Sequence, residues 1–172
     1  MKRNILLLSL LAITLFSCTK EDDNPTIYFE GAYVCNFGTT EGEFTYYEVM
    51  TFAKTGKILI ENFVSGPDFN EPCLLAYKEG SYELIGELFK LSLTSSFASN
   101  ADGSELPGNC IAKEDFENRL SPDNLVSHSG LIFSDSMDSF TLLNECNGPT
   151  SELAISCLAF TYKKVEGLKI SS

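Results

Sequence analysis

Apolar and polar residues alternate along much of this chain, and that alternation predicts β-strands. Between Phe89 and Thr94 every second residue is apolar, which is typical of a strand with one buried face. The segment 44–52 is rich in aromatic and β-branched residues, which favour strands. A turn at 54–57 separates it from a second strand over 58–64, so the two are predicted to form a hairpin.

The remaining strands are predicted at similar spacing, with one irregular stretch among them. They are expected over 73–79, 81–85, 88–94, 139–145 and 153–163. The stretch from 95 to 130 is predicted to be irregular, apart from a short helix over 112–120 that Pro122 would end. About eight strands at hairpin spacing predict a closed or nearly closed antiparallel barrel, an all-β fold.

The first residues of the chain have the pattern of a secretory signal. Lys2 and Arg3 precede an apolar run over 5–16, and a small residue, Ser17, follows it. A basic start, a short apolar segment and a small residue before the cleavage point are the features of a signal peptide. A membrane span would need about 20 apolar residues, so residues 1–17 are predicted to be removed.

The residues around the predicted cleavage point resemble the lipobox of bacterial lipoproteins, in the form Leu15-Phe16-Ser17-Cys18. The resemblance implies that Cys18 is acylated and that residues 18–25 are a lipidated tether. Several acyl chains on one residue give durable membrane anchoring. The tether carries one lysine and three acidic residues: Lys20, Glu21, Asp22 and Asp23. This run is similar to the export signal of some Gram-negative surface lipoproteins, which implies an outer-membrane protein exposed on the cell surface.

Composition narrows the classes of partner. The chain has 12 basic and 24 acidic residues, a net charge of -12. Binding nucleic acid requires an excess of Lys and Arg, so a nucleic-acid partner is not expected. Anionic lipid headgroups would repel such a surface, so the membrane contact is expected to be made through the lipid anchor.

A second resemblance concerns the barrel itself. Gly31 and Tyr33 open the first strand, and the segment 80–94 reads as a Gly-x-Tyr, a short turn and alternating leucines. This pattern resembles the lipocalin-like domains of surface lipoproteins, in which a Gly-x-Trp opens the first strand and its ring plugs the closed end. The resemblance implies a lipocalin-like barrel over 26–168, with Tyr33 as the plug. Either Lys163 or Lys164 would then stand where lipocalins place a basic residue over that ring.

Candidate chemistry in the sequence is sparse. His128 is the only histidine and lies between Ser127 and Ser129. Neighbours in a strand point to opposite faces, so this tripeptide is not a ready catalytic pair. Since no recognised catalytic motif occurs either, no catalytic residue, metal or cofactor is predicted.

Two short motifs have alternative interpretations. The segment 100–105 groups oxygen-bearing side chains around a glycine, as some calcium loops do, although a plain turn is the favoured interpretation. Asp135-Ser136-Met137 resembles the acceptor site of an O-glycosylation system of some Gram-negative bacteria, which implies a modification at Ser136.

Five cysteines follow the predicted lipidated one: Cys35, Cys73, Cys110, Cys146 and Cys157. An exported protein is in an environment where disulfides form, and an odd number leaves at least one thiol unpaired within the chain. Structural disulfides with one buried thiol are therefore predicted, with the pairing left open.

The aromatic residues leave the function open. The chain has 13 Phe and seven Tyr, which can fill a small barrel completely or line a cavity for one small ligand. The first case favours a module that contacts a protein or glycan partner through 95–130. The second favours a protein that binds a small apolar or amphiphilic ligand, without catalysis, and this is the leading prediction.

Overall fold

The computed structural model describes residues 25–39, 43–99, 110–121, 126–144 and 159–166. These residues form ten strands and one turn of 3-10 helix at Lys113–Asp115. The strands are β1 (Thr26–Ile27), β2 (Gly31–Thr39), β3 (Thr45–Phe52), β4 (Lys57–Ser65), β5 (Cys73–Ile85), β6 (Leu88–Ala98), β7 (Glu117–Asn118), β8 (Val126–Phe133), β9 (Ser139–Asn144) and β10 (Ala159–Val165). Across the described ranges there is no helix of the length and hydropathy needed to span a membrane.

Eight of the strands close into an antiparallel barrel. From β2 to β6, and then through β8, β9 and β10, each strand pairs with the next one along the chain. The last strand pairs with β2 and closes the ring. The short strands β1 and β7 lie outside this ring, on β5 and β6. The prediction of a closed antiparallel barrel of about eight strands is confirmed, and its up-and-down order is the simplest that removes all edges.

The two ends of the barrel differ. The short turns at 53–56, 86–87 and 134–138 all lie at one end, here called the closed end. The chain also enters there, since Thr26 pairs with Ile85, the last residue of β5. At the opposite end, called the mouth, β2 ends and β3 begins, and β4 connects to β5.

Side chains of the inner face form the core, because alternate residues of each strand point into the barrel. Aromatic rings are concentrated toward the closed end, where Phe52, Phe140 and Tyr33 are almost completely buried. Pairs of rings there lie at centroid distances that favour edge-to-face contacts, such as 5.8 Å between Phe52 and Phe140. This half of the barrel interior is filled.

The predicted helix over 112–120 is wrong. Only Lys113–Asp115 form a helical turn, and Glu117–Asn118 then pair with β6 as a short strand. Between them Phe116 is buried and packs against the ring of Tyr77, at a centroid distance of 6.0 Å. Tertiary pairing therefore overrides the local helix preference.

The predicted strand boundaries also differ from the observed ones. The segment 73–85 is one continuous strand, in which Gly80 marks a bulge against β6 rather than a break. A Cβ at Gly80 would collide with the backbone of Ser92, so this close approach requires glycine. The end of the predicted irregular stretch, 126–130, belongs to β8. The sequence pattern did not reveal this strand because its polar residues lie on both faces.

Candidate ligand-binding cavity at the mouth of the barrel

The mouth half of the barrel is open. A cavity of about 590 Å³ occupies it, above the aromatic layer. Its apolar lining includes Met50, Ile60, Leu91, Leu142 and Phe160, and its polar lining includes Glu48, Lys78 and Tyr162. The barrel interior is thus partly filled and partly hollow, which combines the two interpretations that the aromatic content left open.

Tyr33 lies in the aromatic layer beneath this cavity. It is 1% exposed, and its ring is 5.0 Å from that of Phe140. Its hydroxyl donates a hydrogen bond to the carbonyl of Met137, at 3.2 Å, in the turn between β8 and β9. Tyr33 therefore joins β2 to the closed-end turn, the position in which a plugging residue is expected.

Gly31 and Lys164 lie beside that ring. Gly31 has φ +147°, and a Cβ there would be 3.2 Å from the Tyr33 ring and 3.4 Å from Cε of Lys164. Lys164 is directly opposite Tyr33 in the pairing of β10 with β2, whereas Lys163 is opposite Val34. Since opposite residues share a face, Lys164 is the lysine that lies on the side of the ring.

Phe29 is a closed-end residue that sequence reasoning missed. It precedes β2, is 6% exposed, and packs on Phe52 and Phe133 at centroid distances of 4.4 and 4.9 Å. Tyr82 holds its backbone, because the Tyr82 hydroxyl accepts from the Phe29 N–H at 2.9 Å and donates to the Phe29 carbonyl at 2.7 Å. The available signal was an aromatic residue two positions before Gly31, on a segment that was assigned no element.

A carboxylate forms the centre of a polar cluster in the cavity. The hydroxyl of Tyr162 donates to Oε1 of Glu48 at 2.6 Å, and Nδ2 of Asn62 donates to Oε2 at 3.2 Å. Desolvation raises the pKa of Glu48, although the Tyr162 hydrogen bond and the charge of Lys78 act in the opposite direction. Desolvation, with the adjacent Glu48 charge, also raises the pKa of Tyr162. The buried thiol of Cys35 lies in the same environment, where burial and then Glu48 raise its pKa.

Lys78 adds a positive charge to this lining. It lies opposite Ile60 in the pairing of β4 with β5, and Ile60 is a buried core residue. Lys78 therefore shares the inner face and is half-buried. Among the described residues it makes no hydrogen bond or ion pair. The cavity thus presents one carboxylate that is already bonded and one ammonium that is not.

His128 and its neighbouring serines face opposite ways. Ser127 and Ser129 lie opposite the inward residues Leu91 and Phe89, whereas His128 lies opposite Lys90 and is exposed. His128 nevertheless forms part of the cavity lining, together with both serines. No cluster of three or more metal-ligating side chains occurs within the described ranges.

One of the predicted disulfides is present. Cys73 and Cys110 are bonded with their Cα atoms 5.1 Å apart, which ties the start of β5 to the segment before the helical turn. Cys35 is a free, buried thiol. Cys146 and Cys157 lie outside the described residues, so their pairing stays a prediction.

The other predicted sites fall on the surface or outside the described residues. Ser136 is exposed in the turn between β8 and β9, with its Oγ 3.5 Å from Oγ of Ser134. Its glycosylation stays a prediction. Cys18, the export run 20–23 and the oxygen-rich segment 100–105 lie outside the described residues.

Comparisons of the chain with protein-family models, with curated proteins and with solved structures found no match. The function must therefore be argued from the barrel and its cavity.

Proposed function

We propose that this protein is an outer-membrane lipoprotein whose lipocalin-like barrel binds a small amphiphile in the mouth cavity. The observation that carries the proposal is the cavity of about 590 Å³ above a filled aromatic layer. Sites for small molecules are typically clefts of about 300–1,000 Å³ with an apolar lining and a few polar groups. The cavity here is within that size range, and its lining is mixed, with apolar side chains beside nearly as many polar ones, as an amphiphile with a polar head requires.

The ligand is expected to lie with its apolar body among Met50, Ile60 and Leu142. Its polar head then reaches the cluster formed by Glu48 and Lys78, because a polar group without a partner would be costly to bury. Without such a head, the same lining would leave these groups facing an apolar surface.

Fluorescent probes test this binding. Phenylnaphthylamine is neutral, and its emission rises in an apolar site. We expect it to bind the wild type and to bind at least tenfold more weakly to Ser127→Trp, because the indole would occupy space at the inner face. The chain has no tryptophan, so energy transfer from the introduced indole also reports where any remaining probe lies.

Thr161→Trp is the matched control. Thr161 is exposed on β10 and is not part of the cavity lining. This variant should bind the probe as the wild type does. If the wild type binds no probe, or both variants bind it equally well, the ligand-binding proposal fails. The alternative, a module that contacts a protein or glycan partner, then takes its place.

The anchor is the second part of the proposal, and it gives the barrel an orientation. The chain enters the barrel at the closed end, so a lipid on Cys18 would place that end toward the membrane and the mouth away from it. Cys18→Ala is expected to give an unprocessed precursor that no longer partitions into detergent. A variant of normal processed length that still partitions would show that Cys18 is not the lipidated residue.

The export run can be tested separately from the anchor. Replacing Lys20, Glu21, Asp22 and Asp23 with alanine should leave acylation intact and lower the access of protease to the protein on intact cells. Equal access in the wild type and the variant would show that this run is only a spacer.

A further inference from the structure

The unpaired lysine of the mouth cavity identifies the chemistry of the ligand's head. Lys78 lies on the inner face opposite Ile60 and is half-buried. Within the part of the chain that the structure describes, its ammonium has neither a hydrogen bond nor an ion pair. A lysine ammonium offers three donors and no acceptor, so these donors are available to an acceptor on a ligand in the cavity.

Glu48 does not serve as that partner. Its two carboxylate oxygens already accept bonds from Tyr162 and Asn62. No ion pair joins Glu48 to Lys78 in the described structure, although both side chains line the same cavity. The two groups therefore line one cavity without forming an ion pair, although the charge of Lys78 acts to lower the pKa of Glu48, and the carboxylate is held in place by its own donors.

We propose that the mouth cavity selects amphiphiles with an anionic head, a carboxylate, sulfonate or phosphate, that binds Lys78. This inference rests on the proposed function and adds to it the class of ligand. A hydrogen bond between an ammonium and an anion is stronger than one between neutral groups. It also supplies the acceptor that Lys78 lacks, whereas a cationic head would bring a like charge to the same ammonium.

The amide of Asn62 is only partly bonded. Oδ1 of Asn62 is buried and has no hydrogen-bond partner in the described structure, while Nδ2 of the same amide is bonded to Glu48. Buried acceptors of this kind are normally satisfied. Asn62 is not part of the cavity lining, so the proposal rests on Lys78.

The overall charge of the protein cannot account for a preference for anionic ligands. The chain carries a net charge of -12, which disfavours the approach of anions from a distance. A preference for an anionic ligand must therefore come from the cavity lining, and it should depend on one side chain.

A matched pair of probes tests the inference. Phenylnaphthylamine and anilinonaphthalene sulfonate share one apolar body, and only the second has an anionic group. The wild type should bind the sulfonate about tenfold more tightly than the neutral probe, as one charge-assisted hydrogen bond implies. Lys78→Met should remove this preference by weakening the sulfonate alone, and Lys78→Arg should retain it.

Lys163→Met is the control for the loss of one positive charge. Lys163 is exposed on β10, opposite Val34 and on the face away from Tyr33, so this variant should retain the preference. Thermal melting of all variants checks that they are folded.

The outcomes separate the two proposals. If the neutral probe binds but the wild type shows no preference for the sulfonate, or if Lys78→Met retains that preference, the anionic class is wrong and the ligand-binding function stands. If Lys163→Met removes the preference as fully as Lys78→Met does, the effect belongs to the surface charge and the inference is overturned. If neither probe binds the wild type, both proposals fall together.

Discussion

Truncation of Tyr33 is the most direct test of the closed end. The side chain is 1% exposed, and its ring contacts those of Phe140, Phe52 and Phe29 at centroid distances of 5.0, 5.9 and 6.2 Å. Tyr33→Ala would leave a cavity among rings that cannot collapse easily, because strands on all sides hold them. Changes of this size in a core cost about 3–5 kcal/mol.

The hydroxyl adds a smaller contribution. Its hydrogen bond to the carbonyl of Met137 is 3.2 Å long, and a single bond of this kind contributes about 0.5–1.5 kcal/mol. Tyr33→Phe keeps the ring and loses only this bond, so it should be mild. The two variants therefore separate the packing of the ring from the tie to the turn between β8 and β9.

The assay is thermal and urea unfolding of the wild type and both variants, followed by circular dichroism. For a chain of this length a loss of 3–5 kcal/mol lowers Tm by roughly 6–20 °C. Tyr33→Phe should lower it by only a few degrees. Binding of a neutral probe at the mouth should be unchanged in Tyr33→Phe, because the ring still forms the floor.

Two outcomes would contradict the role assigned to the Tyr33 ring. If Tyr33→Ala unfolds within about two degrees of the wild type, Tyr33 is not the plug and the lipocalin-like register of the first strand is wrong. If Tyr33→Phe is as damaging as Tyr33→Ala, the tie to the turn, and not the ring, carries the stability.

Two further predictions concern the barrel, and a third concerns its proposed orientation on the membrane. Burial raises the pKa of Glu48 in the folded protein. The stability that Glu48 contributes is therefore fully present below the ordinary glutamate pKa and is lost as pH rises through its pKa in the folded protein. As pH rises from acidic to neutral, Glu48→Gln should therefore become more stable to urea relative to the wild type. A difference in unfolding free energy between the two proteins that does not change with pH would contradict this. Cys110→Ser opens a disulfide that closes a separation of 37 residues and should cost up to about 4 kcal/mol of unfolding free energy; an unchanged urea midpoint would show that the bridge adds no stability. In the lipidated protein on vesicles, brominated lipids should quench Met137→Trp at the closed end and not Val126→Trp at the mouth, and the reverse pattern would overturn the proposed orientation.

Much of the barrel could be predicted from local patterns. The alternation around Phe89 and the turn at 54–57 are determined by neighbours in sequence, since a strand with one buried face needs a two-residue period and a tight turn needs its own residues. Gly31 was singled out through the resemblance to lipocalin-like barrels and not through a local pattern. The observed contacts show why glycine suits this position, because a side chain there would press on Tyr33 and Lys164.

The boundaries were harder where the local signal and the tertiary pairing disagree. The helix expected over 112–120 gave way to a strand pair with β6. The strand β8 has polar residues on both faces, and its position between β6 and β9 makes it a strand regardless. The pairing partners of these segments are distant in sequence, so no local window contains them.

The sequence by itself determined that this chain forms hairpins of half-buried strands with one aromatic-rich face, because side-chain period and turn chemistry are local properties. Only the tertiary structure decided which half of the barrel is filled and which is hollow. Closure of β10 on β2 brings Tyr162 to Glu48 across 114 positions in sequence, and the pairing of β4 with β5 places Lys78 on the same inner face. The sequence alone could not show that Glu48 and Lys78 line one cavity. Their surroundings depend on which residues lie across the barrel from them, and barrel closure decides that.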